Sequence, residues 1–76
     1  MTTQAEKHLA AADRHIAQAE ARIAHQEELM TRLAAAGQDT AFSRKLLTVL
    51  KQSLALTRQH RRLILAEIAG TLSVLC

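Results

Sequence analysis

The unit A-[ED]-[KR]-H-[LI]-A reads twice near the start of the chain, as AEKHLA over residues 5–10 and ADRHIA over 12–17, then decays to AEARIA over 19–24. It places His8 and His15 seven residues apart. Imidazoles ligate metals and carry protons near neutral pH, so this recurrence raises the question of a metal or proton site. Chelation by one helix needs ligands three or four residues apart, because only those neighbours share a face closely enough for Zn–N distances near ~2.0–2.1 Å. His8 and His15 stand two turns apart, on the order of 10 Å. The residues four positions after His8, His15 and His25 are Ala12, Ala19 and Leu29, none of them a ligand. No metal and no cofactor is therefore expected. A seven-residue period is instead the mark of a coiled coil, with the histidines carried on its flank.

No Ser/His/Asp or Cys/His set, no pair of carboxylates on a cleft and no phosphate-binding loop can be drawn from these residues, so no catalytic residues are expected. The chain has 76 residues, 49% hydrophobic but only 1% aromatic, with no Pro, no Trp and no Tyr. Such an Ala/Leu/Glu/Arg/Gln composition without breakers is helical throughout. Two long helices offer no deep concavity for a substrate, which argues against an enzyme. The one cysteine, Cys76, excludes an intramolecular disulfide and points to a reducing, cytoplasmic setting. Neither a signal-peptide run at the N-terminus nor a spanning segment of about 18 apolar residues is found.

No strong helix breaker interrupts residues 4–36. GQDT then supplies Gly37 as a left-handed cap, with Asp39 or Thr40 as the next N-cap. The expected architecture is all-α: one domain over 1–76, with a first helix over about 4–36, a turn at 37–40, a second helix over about 40–69 and an apolar tail over 70–76. Two arms of similar length and a short turn make an antiparallel hairpin.

In the first arm Leu9, Ile16, Ile23 and Met30 recur at sevens, and Ala5, Ala12, Ala19, Gln26 and Leu33 fill the other seam line. In the second arm Phe42, Val49, Leu56 and Leu63 recur at sevens, so these residues, with Leu46 and Leu50, are expected to face the first helix. The remaining apolar side chains widen that sector to about half the circumference, more than one helix can cover. Leu47, Leu50, Leu54, Leu65 and Ile68 are accordingly expected to form an oligomer interface, most simply joining two hairpins as a homodimeric four-helix bundle. On this reading Leu47→Glu or Leu54→Glu dissociates the dimer. His60 and Ser53 fall inside the apolar sector as register-setting polar residues, a pH switch at His60 being the alternative.

Glu6, Asp13, Glu20 and Glu27 draw an acidic line at sevens on the first arm, and Arg44, Lys51 and Arg58 a basic line on the second. Opposite signs favour pairing of the arms and select register more than they stabilise. The overall charge of +3 divides into −1 over residues 1–36 and +4 over residues 37–76. Two further readings stay open on that basic arm. One is a nucleic-acid-associated small regulator contacting phosphates through Arg44, Lys51, Arg58 and Arg62, although no aromatic stacking residue accompanies them. The other is a peripheral membrane-surface binder, because RQHRR runs into LILAEIAGTLSVLC, which carries one charge in fourteen residues.

The stretches AEKHLAAADRHIAQAEARIAHQEELMTRLAAAGQDT and LLTVLKQSLALTRQHRRLIL resemble a group of short alphaproteobacterial hypothetical proteins. That group has the pattern A-E-x-H-I-A, Q-E-x-L-I-x-x-L, G-x-D-T and a leucine-rich second arm ending in a basic H-R cluster. The resemblance covers about residues 4–66 and implies a two-helix hairpin, with no established activity and no functional residue to transfer; after Ala69 the sequence departs from the pattern. The expected role is thus a non-enzymatic, self-associating helical interaction or scaffold module, with a homodimer as first partner.

Overall fold

The computed structural model describes residues 3–75. It contains two helices, α1 over Gln4–Ala35 and α2 over Ala41–Leu75, folded back on each other as an antiparallel hairpin. The local chemistry sets each boundary. Thr3, in extended conformation, caps α1, its Oγ1 accepting from the Glu6 N–H at 3.1 Å, and Glu6 adds an acid to the positive end of the helix dipole.

At the other end Gly37 takes φ +72, so the Gln38 N–H donates to Leu33 O at 2.8 Å and the Gly37 N–H to Ala34 O at 3.0 Å. This is the Schellman arrangement, in which a left-handed residue lets orphan carbonyls of the last turn find donors. The chain re-enters helix at once. The Asp39 carboxylate accepts from the Ala41 N–H at 2.9 Å and the Thr40 carbonyl accepts the Arg44 N–H at 2.9 Å. The second helix, expected over about 40–69, continues through Gly70 to Leu75. Cys76 lies outside the described residues.

Every expected seam residue of α1 is buried or half-buried: Ala5, Leu9, Ala12, Ile16, Ala19, Ile23, Gln26, Met30 and Leu33. The facing side of α2 differs from expectation by one residue. The seam positions are Ser43, Leu47, Leu50, Leu54, Thr57, Arg61, Ile64 and Ile68, alternately three and four apart, and Leu46, expected to face α1, is half-buried beside them. Ile23, Leu47 and Leu54 form the centre of the core, with Ile16, Ala19, Met30 and Leu50 packed against it.

Phe42, Val49, Leu56 and Leu63, expected in this seam, are instead exposed. One residue is a rotation of about 100° on a helix, which carries the whole line to the outer side. Ion pairing explains the choice. With Leu47 and Leu54 inward, the basic line Arg44, Lys51, Arg58 lies at the seam edge beside the acids of α1, whereas with Phe42 and Val49 inward it would face away.

The hairpin is elongated, 61 × 19 × 13 Å, and its least dimension is about one helix thick. Its radius of gyration of 17.6 Å exceeds the ~11 Å of a compact chain of this length. A layer this thin seals no side chain completely among the described residues.

Candidate interaction surface

Two faces flank the seam. On one, Lys51 Nζ lies 3.7 Å from Glu27 Oε2, an Arg58 guanidinium nitrogen 3.6 Å from Glu20 Oε1, and Arg61 Nε donates to Asp13 Oδ1 at 2.6 Å. The first two pairs join the acidic and basic lines in antiparallel register, and Arg61 meets the acidic line from the seam. All are solvated, worth about 0.2–1 kcal/mol each, so they orient the arms more than they hold them. Arg61 occupies a seam position between the Leu54 and Ile68 levels, its apolar stem covered and its head turned to Asp13 at the edge.

The opposite face carries the histidines. His8 and His15 line one wall, and Ser53, Leu56 and His60 the other, of an open groove of about 450 Å³ floored by Ala11 and Ala12. The Gln4 side-chain amide donates to His8 Nε2 at 3.0 Å, and the Thr57 hydroxyl donates to the Ser53 carbonyl. His60 is exposed at the rim, not inside a seam as expected. The hairpin thus brings His60 to the groove of His8 and His15, a juxtaposition that only the fold reveals. Among the described residues no three His, Cys, Asp or Glu side chains converge closely enough to hold a metal ion.

Among the described residues, the exposed large apolar side chains lie on α2, four of them along its outward face. Phe42 is 78% exposed, Val49 58%, Leu56 67% and Leu63 63%. They stand about 10.5 Å apart along one line roughly 130° from the seam, a stripe of about 31 Å. Lys45, Gln52 and Gln59 run along one side of it, and Leu46, Ser53 and His60 along the other. Contiguous apolar exposure of this extent is uncommon on the surface of a monomeric soluble protein.

The oligomer residues expected from sequence lie elsewhere. Leu47 and Leu54 are buried between the arms, Leu50 is half-buried against them, Ile68 continues the same line, and Leu65 sits at its edge, 38% exposed. The line expected to face α1 lies outermost and much of the line expected to lie outermost faces α1, because both repeat at seven and both are apolar. Of the residues expected to meet phosphates, Lys51 and Arg58 are paired with Glu27 and Glu20, while Arg44 and Arg62 are exposed. Among the described residues no helix is long and apolar enough to cross a membrane. In comparisons with known families, curated proteins and solved structures, the chain has no match.

Proposed function

We propose that the chain is a non-enzymatic helical interaction module that self-associates through the outer stripe of α2, completing a four-helix bundle from two hairpins. The observation that carries this reading is the second heptad line, Phe42, Val49, Leu56 and Leu63, left uncovered once the first has closed the hairpin.

The surface area supports it. The hairpin exposes 5924 Å², against about 4600 Å² for a compact monomer of 8.4 kDa. The excess, roughly 1300 Å², is comparable to the 600–1000 Å² or so that each partner of a stable dimer covers. A single layer of helices needs a second layer to seal its side chains, and another copy supplies one. The solitary cysteine suits a reducing compartment such as the cytoplasm. The basic-face and membrane-surface readings rank lower, since two of the four candidate phosphate contacts are engaged with acids of α1.

Sedimentation equilibrium tests the proposal. Wild-type protein should approach the dimer mass as concentration rises, and Leu56→Glu, at an exposed position, should stay monomeric with unchanged helicity. A wild-type chain that remains monomeric up to about millimolar concentration, where ΔG° is only near −4 kcal/mol, overturns it.

A further inference from the structure

Resting on that self-association, we infer that the occupant of the stripe is a second copy laid antiparallel, α2 against α2, with the two-fold axis at Gln52 and Ser53. The stripe is evenly spaced and therefore self-complementary. An axis midway between Val49 and Leu56 sets Phe42 against the partner's Leu63 and Val49 against the partner's Leu56, so all four side chains of each copy are covered. Shifting the register by one heptad leaves Leu63 beyond the overlap in one direction and sets Phe42 against the partner's Gly70 in the other.

Charge selects the direction. In an antiparallel pair each flanking line meets its own copy in reverse order. Lys45 then faces the partner's Gln59, Leu46 the partner's His60, and Gln52 and Ser53 meet their own copies at the axis. The two Lys45 side chains are held about 22–23 Å apart along the helices, beyond a Debye length of ~8–10 Å. A parallel pair would hold the two Lys45 side chains at one level, on opposite flanks of a single helix–helix contact, and align the two helix dipoles. The axis level also carries Gln52 and Ser53 between apolar layers, and a polar layer of this kind fixes register.

Cysteine cross-linking with a short bis-maleimide, on the full chain with Cys76→Ser, tests this geometry. Lys45, Gln52 and Gln59 are all exposed, so Cys in their place leaves the hairpin intact. Gln52→Cys should cross-link as the main product, Lys45→Cys alone should give none, and mixing Lys45→Cys with Gln59→Cys should restore it. Cross-linking of Lys45→Cys alone establishes a parallel pair and overturns the inference. So does failure of Gln52→Cys while the same variant sediments as a dimer. A wild-type protein that sediments as a monomer overturns the parent proposal instead, so the two failures are distinguishable.

Discussion

Leu54 and Leu56 are two residues apart on the same helix, yet their truncation to Ala should act on different equilibria. Leu54 is 8% exposed, beside Ile23 and Leu47 at the centre of the core. Leu→Ala removes about three carbon groups, near 2.4 kcal/mol at ~0.8 kcal/mol each, and a residual cavity adds to this. A layer one helix thick is open on both faces, so neighbouring side chains can close much of that cavity. The expected cost is about 2.5–3 kcal/mol, towards the lower part of the ~2–5 kcal/mol range for such substitutions. For a chain of this size that lowers Tm by roughly 10–20 °C.

Leu56 is 67% exposed, so its truncation should cost the isolated hairpin less than about 1 kcal/mol while removing on the order of 2 kcal/mol per chain from association. Circular-dichroism melts over a roughly hundredfold concentration range separate the two effects, because association stabilises by mass action. The Leu54→Ala deficit should be present in full at the lowest concentration. The Leu56→Ala deficit should be small there and grow as the wild type dimerises. Equal deficits in dilute solution would refute the assignment of Leu54 to the seam and Leu56 to the outer stripe. By the same reasoning Leu47→Glu and Leu54→Glu, which the sequence suggests as dimer-breaking changes, should unfold the hairpin rather than dissociate it.

Gly→Ala should have opposite signs at the two glycines, read from urea denaturation: Gly37→Ala destabilises by about 1–2 kcal/mol through its φ of +72, and Gly70→Ala, within α2 with open space around its Cα, stabilises by up to about 1 kcal/mol. Arg61→Leu should raise Tm, because an apolar side chain at that seam level gains burial whereas the solvated pair with Asp13 contributes under about 1 kcal/mol; a fall in Tm larger than that would show the pair to be structural. No mobility shift of duplex DNA is expected even at low salt; a shift whose salt slope falls by about two on Lys51→Ala with Arg58→Ala would restore the basic-face reading. A chelator added to untagged protein should leave the melting curve unchanged, and a stoichiometric ion in metal analysis would contradict this.

How much of this was legible in the sequence depended on how many patterns competed at each element. Along α1 a single heptad is available, Leu9, Ile16, Ile23 and Met30 with their alanine counterparts, and the structure uses it at every level. The turn was equally unambiguous, because only glycine takes φ +72 without strain and Asp39 follows as a helix-starting side chain. Along α2 two heptads run side by side. The line with the larger side chains, Phe42, Val49, Leu56 and Leu63, looked like the core by apolar content, while the true seam contains Ser43, Thr57 and Arg61.

What separates them is charge, already present in the residues. A basic line can pair with acids on a facing helix only from a position adjacent to the seam, about 77° from its centre. Arg44, Lys51 and Arg58 hold that position with respect to Leu47 and Leu54 and lie on the far side with respect to Phe42 and Val49. The ion pairs are individually too weak to fold the hairpin. Between two apolar stripes of similar burial value, however, a difference of even a few tenths of a kcal/mol per pair, repeated down the arms, suffices to choose which stripe turns inward and which is left for a second copy.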